Sequence, residues 1–336
     1  GLVPSEYIEG FQDNSIIDYR YSFNTLVPYT HYNASFPTNS TRLTKSGNYL
    51  LKVYLSGEPD NIAITRRFMV FQPKITIEST VRQASIIEDR NYRHELDFTI
   101  LRNSYEITNP YGDLQVFITQ NNRWDNIKSN MKPVYIRDQE LVYDFDEANV
   151  FKAGNEFRNF DIKSVRYLSE RIYKVSRDSI TWNVELYHDE KRNIKRYYTW
   201  PDINGDFHIR VQEGNNSDVE ADYVFVNFFL SSKEVFTDGN LYVFGAWNSW
   251  QCNSANLMHY NVEKEGYECR LLMKQGYYNY QYAFLKDGET AADDTFIEGS
   301  HYETENDYTI YVYHRQPGTF YDQLIGVKRL NSARDF

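Results

Sequence analysis

Apolar residues recur along this chain in strand-length runs that alternate with polar positions, each bounded by clusters of Asn, Asp, Gly, Ser and Pro. Residues 49–54 follow the turn Lys45-Ser46-Gly47-Asn48, residues 65–71 come next, and Gln72-Pro73 closes that unit. Strands are predicted at 74–79, 95–101, 114–119, 140–145, 164–175 and 181–187 in a second unit. A third begins near Phe207 and carries strands at 223–230, 241–245, 268–273, 277–285 and 308–313. No segment holds a 3.6-residue apolar period over three turns. Strands at this spacing predict an all-β chain of tandem immunoglobulin-like or early-set β-sandwich domains. The expected division is 1–72, 73–205 and 206–336, the last with a C-terminal tail. An immunoglobulin-like sandwich takes about 100 residues. The first unit therefore reads as the C-terminal part of a sandwich whose earlier strands lie upstream of Gly1.

Composition strengthens the β reading. Tyr occurs 30 times and Phe 21 times in 336 residues, and aromatic residues suit a pleated, half-buried surface. The formal net charge of -11 leaves no basic excess to displace counterions from a nucleic acid. No apolar run reaches the length of a membrane-spanning helix, so direct membrane insertion is not expected. Cys252 and Cys269 lie on expected consecutive strands; either a bridge or two buried thiols fits them.

Candidate chemistry is sparse. The chain has no GxSxG, HExxH, P-loop or GxGxxG motif. His94-Glu95 opens like a zinc-protease helix, but Phe98 stands where the second histidine belongs. The histidines at 31, 94, 188, 208, 259, 301 and 314 are scattered singly, so no catalytic, cofactor or metal residue is assigned. Asn204-Gly205 predicts a type I′ hairpin turn rather than a calcium loop, because the ligand spacing and closing Glu of an EF-hand are absent. The acidic stretch 213–222 reads as a solvated linker or a weak calcium loop. Asn33, Asn39 and Asn215 head Asn-x-Ser/Thr triplets of the kind that polar loops produce by chance.

Two resemblances add to this. The run from Leu241 to Trp250, followed by Gly276-Tyr277-Tyr278-Asn279-Tyr280-Gln281-Tyr282-Ala283-Phe284 and Asp287-Gly288, resembles the early-set sandwich of glycogen-binding-type carbohydrate modules. Trp247 and Trp250 then read either as a sugar-stacking pair or as plugs of the sandwich end. Tyr278, Tyr280, Tyr282 and Phe284 alternate onto one face. Over about residues 10–326 the chain also resembles a Bacteroidetes family, formerly of unknown function, associated with the plug of the type IX secretion system. Tyr21-Ser22-Phe23-Asn24-Thr25, Thr41-Arg42-Leu43-Thr44-Lys45-Ser46-Gly47-Asn48-Tyr49 and Thr65-Arg66-Arg67-Phe68-Met69-Val70 carry this likeness. So do Asn122-Arg123-Trp124-Asp125-Asn126, Gly154-Asn155-Glu156-Phe157-Arg158 and Glu298-Gly299-Ser300-His301-Tyr302.

That second resemblance implies a non-enzymatic periplasmic protein without cofactors. Its partner would be the outer-membrane translocon barrel, whose inner mouth it closes. No interface residue is implied by name. The alternative function is carbohydrate binding by the third unit through Trp247 and Trp250.

Overall fold

The computed structural model describes residues 2–144 and 147–335, and the chain is built of strands. Among the described residues no helix exceeds four residues, and none is long and apolar enough to cross a membrane. The alternating segments lie in the strands Gly47–Leu55, Arg93–Leu101, Leu114–Gln120, Tyr223–Ser231 and Gly276–Lys286. The segment expected at 140–145 is the strand Glu140–Tyr143; Phe145 lies outside the described residues. The segment expected at 164–175 becomes strand only at Ile172–Arg177. Before it, the Asp161 carboxylate accepts from the Lys163 amide and the Ser164 hydroxyl accepts from the Arg166 amide. Such local side-chain turns hold the backbone out of a ladder.

Two sandwich cores follow. In one, Arg93–Leu101 pairs with Thr76–Gln83, Glu140–Tyr143 and Val150–Lys152. That sheet faces a second one, in which Asp307–His314 lies between Leu114–Gln120 and Gln323–Asn331. Leu96, Phe98, Ile100 and Leu141 from one sheet meet Val116, Ile118, Ile310 and Val312 from the other. In the second core, Ile172–Arg177, Trp182–Leu186, Tyr223–Ser231, Gly266–Lys274 and His259–Asn261 form a five-stranded sheet. It faces Gly276–Lys286 with its partners Arg158–Asp161, Phe207–Ile209 and Gly239–Phe244.

This pairing moves the expected boundaries. Arg158–Asp161, Ile172–Arg177 and Trp182–Leu186, expected in the second unit, belong to the sheets of the third. Asp307–His314, expected in the third, is the middle strand of a sheet in the second. One sandwich, roughly residues 155–300, is therefore inserted into another made of 75–153 and 304–332. The chain leaves and returns at one place, where His301 N donates to Gly154 O at 2.8 Å and Gly154 N donates to the Ser300 hydroxyl at 3.0 Å.

The inserted core is pinned by buried charge. Arg158 Nη1 donates to Asp189 Oδ1 at 2.7 Å and its Nε to Glu298 Oε1 at 3.0 Å. Arg192 Nε donates to Glu298 Oε2 at 2.7 Å, and the Tyr280 and Tyr282 hydroxyls donate to Asp189 Oδ2 at 2.6 and 2.8 Å. Burial alone would push the Glu298 carboxyl up, but Arg158 and Arg192 beside it hold it below the usual carboxylate range. Each carboxylate oxygen of Asp189 and Glu298 is matched by donors, the condition under which buried charge is tolerated.

Residues 1–72 form three two-stranded ribbons: Ile8–Gly10 with Thr41–Leu43, Asp18–Tyr21 with Thr30–Asn33, and Gly47–Leu55 with Glu58–Val70. None of their hydrophobic side chains is fully buried among the described residues.

Candidate functional site

The groups with catalytic promise are used structurally. His94 is buried, with Nδ1 2.9 Å from the Tyr308 hydroxyl and Nε2 2.6 Å from Tyr302 O. Glu95, Asp97 and Asp144 lie close enough together to suggest a cation site. Arg82 already fills that role, at 2.7 Å from Glu95, 2.6 Å from Asp97 and 3.5 Å from Asp144. Both cysteines are free thiols; burial pushes Cys252 up to about 11 and Cys269 up to about 12, so neither is a thiolate nucleophile at neutral pH.

Trp250 is only 8% exposed. Its ring packs between Phe157 and Phe244, with centroids 5.8 and 5.2 Å away, and the Arg123 guanidinium lies 5.4 Å from its centroid. It also covers the Asn204-Gly205 turn. Both residues there have positive φ, 52° and 82°, and Asp206 N donates to Ile203 O at 3.1 Å. The turn is of the expected kind, but Phe207–Ile209 pairs with Gly276–Lys286 and not with the chain before the turn, so no hairpin forms. A Cβ at Gly205 would run into the Trp250 and Phe157 rings. Trp247 is half-buried against the main core, and its indole N–H is buried without a partner among the described residues. Tyr278, Tyr280, Tyr282 and Phe284 are buried members of that core. A ring enclosed in this way presents little surface for a sugar to stack on, and it fits the plug of the sandwich end.

The surface that stands out is residues 1–72, which strap across both sandwiches. On the inserted one, the Asp222 carboxylate accepts from the Leu26 and Val27 amides at 2.7 and 3.1 Å. Tyr29 donates to Ala221 O at 2.9 Å and lies under the Lys274 ammonium, 4.2 Å from the ring centroid. Burial and the surrounding acidic groups push the Tyr29 hydroxyl up to about 12. The acidic stretch read as a linker is thus a clasp: Glu220 also accepts from the Asn215 and Asn216 amides at 2.8 and 2.5 Å. On the other sandwich, Tyr313 donates to Asn48 Oδ1 at 2.6 Å, and Arg67 lies 4.4 Å from the Trp124 ring centroid. Gln72 N and Lys74 N donate to Leu324 O and Ile325 O.

Held at both ends, this strap turns apolar groups outward. Tyr19 packs against Tyr21 and Tyr32 at 5.9 Å, and all three are exposed. Ile17, Phe23, Leu50, Leu55, Ile62 and Ile64 are exposed as well. Single exposed apolar residues are ordinary, but here they are concentrated in one segment. For Leu50 and Leu55 the sequence signal is that apolar residues in Gly47–Leu55 fall at both odd and even positions, so both faces of the strand carry them.

Residues 1–72 match a family model described as type 9 secretion system plug protein 1st domain. A crystal structure of a hypothetical protein from Parabacteroides merdae is similar over nearly the whole chain. The TM-score is 0.95 and the identity 35%, over 98% of this chain and 83% of that one. No curated protein matches.

Proposed function

Since the chain belongs to the type 9 secretion system plug protein family, we propose that it is a non-enzymatic periplasmic plug that binds that system's outer-membrane translocon barrel and occludes its periplasmic mouth. The observation that supports this reading is the exposed apolar content of the plug-matching segment. Residues 1–72 bury no hydrophobic side chain fully among the described residues, yet expose twelve large ones. A soluble protein rarely leaves such a surface uncovered without a partner. Reversible occlusion needs a stiff body and a releasable interface, and it needs no nucleophile. Two sandwiches stapled by one strap provide the stiffness. Tyr-rich contact surfaces are typical of interface hot spots.

The test is a native pull-down from detergent-solubilised outer membranes. The wild-type chain recovers a large barrel protein, and a triple variant of Tyr19, Tyr21 and Tyr32 to Ser recovers at least tenfold less while keeping its melting temperature. Recovery of no barrel protein by the wild type, or equal recovery by the variant, defeats the proposal.

A further inference from the structure

Beside the buried Arg158 network a cavity of about 520 Å³ opens to solvent, within the range of small-molecule sites. Arg158 and Asp189 form its floor, and Arg171, Lys195, Tyr198 and Trp200 stand around it. The floor is balanced without Arg171: two guanidiniums, Arg158 and Arg192, meet two carboxylates, Asp189 and Glu298. Arg171 is a third guanidinium on the same cluster. Its Nη2 donates to Asp189 Oδ1 at 2.7 Å, and its Nε and Nη1 have no protein partner among the described residues. The side chain is 38% exposed at the cavity rim.

The backbone reinforces this placement. Arg171 has φ 66°, a conformation that non-glycine residues adopt at a cost. It sits at a tight turn where Ile172 N donates to Ser169 O, and its own carbonyl accepts from Tyr187 N at 3.0 Å. A glycine would relieve the strain, yet the position holds a long cation aimed at the cavity.

The rest of the rim carries both signs of charge. Lys195 pairs with Glu190 at 2.7 Å, and Glu170, His188 and Asn159 complete the polar wall. Tyr198 is 72% exposed beside Trp200, whose indole donates to Phe157 O at 2.8 Å and is capped by Arg192 on one side. Glu170 and Glu190 oppose a ligand that brings carboxylates alone. A sugar acid brings hydroxyls beside its carboxylate, and these can donate to the two acidic side chains. Its hydroxyls both donate and accept, its carboxylate suits the open donors of Arg171, and its ring has an apolar face for Tyr198.

We propose that this cavity is a binding site for an acidic sugar, a hexuronic acid or the end of a polyuronide. It is independent of the plug reading and lies on the inserted sandwich, away from the strap. The test is calorimetric titration of the full chain with oligogalacturonides, set against the uncharged galacto-oligosaccharide of equal length and an acidic peptide. The expected result is saturable binding of the oligogalacturonide, at least tenfold tighter than of either control. Arg171→Gln removes the preference over the neutral sugar without moving the melting temperature, because the floor stays balanced. Tyr198→Ala, at an exposed position, weakens uronide and neutral sugar alike. No saturation with the uronide, unchanged affinity in both variants, or an acidic peptide bound as tightly as the uronide would each overturn the proposal.

Discussion

Replacing Asp222 by Ala should release the strap while leaving both sandwiches folded. The buried carboxylate accepts the Leu26 and Val27 amides at 2.7 and 3.1 Å, and it receives the Tyr223 amide at 2.9 Å. Hydrogen bonds to a charged group are worth about 1.5–3 kcal/mol each, so the two strap contacts together give about 3–6 kcal/mol. Water can reach the vacated amides from the ribbon side, which favours the lower end, about 3 kcal/mol. That corresponds to roughly two decades in the local opening equilibrium. Tyr29, still bonded to Ala221 O and packed on Tyr223, keeps the strap from leaving altogether. Native-state hydrogen exchange reads the effect: amides in the peptide spanning residues 23–33 should exchange about a hundredfold faster. Those of Tyr223–Ser231 beyond its first residues should be unchanged. The thermal midpoint should move little, because no hydrophobic side chain of the strap is fully buried. Unchanged exchange at Leu26 and Val27, or a collapse of protection across the whole inserted sandwich, would refute the account of the strap as a separately clasped element.

Trp250→Ala should cost about 3–5 kcal/mol, the usual range for emptying a buried aromatic site, measured by urea denaturation; a loss under 1 kcal/mol would mean that the ring is not a plug. Gly205→Ala combines a left-handed φ with a Cβ driven into Trp250 and Phe157. It should cost about 2–4 kcal/mol from strain and overpacking together, and a neutral result in the same assay would contradict the packing. At the seam of the two sandwiches, burial pushes the Glu156 carboxyl up to about 7, with Asp202 beside it raised in the same direction. A carboxyl raised in the folded state stabilises the protein below its unfolded pKa, and that contribution is lost as pH rises through the folded value. Wild-type stability should therefore decline between about pH 4.5 and pH 7, and Glu156→Gln should flatten the decline. Denaturation midpoints across that range would show parallel slopes for the two proteins if the assignment is wrong. His94, whose pKa burial lowers, acts oppositely at acid pH, so the difference between the curves is the quantity to read.

How much of this was legible depended on how local each feature is. Alternation is a local signal, so Gly47–Leu55, Arg93–Leu101 and Gly276–Lys286 were readable as strands from their own residues. Partnership is not local. Nothing in Arg158–Asp161 states that it pairs with Tyr277 to Tyr280, more than a hundred residues away, and a count of strands along the chain assigns it to its sequence neighbours. The insertion does leave a trace: the buried, paired charges Arg158 and Glu298 lie one shortly after the exit point and one shortly before the return. Buried charges need each other, so such a pair is a long-range signal written in residue type rather than in periodicity. The aromatic-Asn-x-Trp run pointed at a sugar site because stacking and plugging call for the same side chains. What bears on the two uses is burial, and Trp250 is only 8% exposed.

The same contrast explains why the strap is the part of the molecule suited to a partner. Each sandwich holds its own core: its inward positions meet a facing sheet, and in the inserted one Arg158 and Arg192 meet Asp189 and Glu298. A two-stranded ribbon has no facing sheet, and an isolated hairpin is marginal in water. Here it is kept in place by its ends, through Asp222 and Tyr29 on one side and Asn48, Arg67 and Gln72 on the other. Anchoring by these polar and aromatic contacts leaves the exposed apolar side chains of the strap uncommitted. A surface made this way can bind and release without either sandwich having to unfold, which is what a closure that opens for each passing substrate requires.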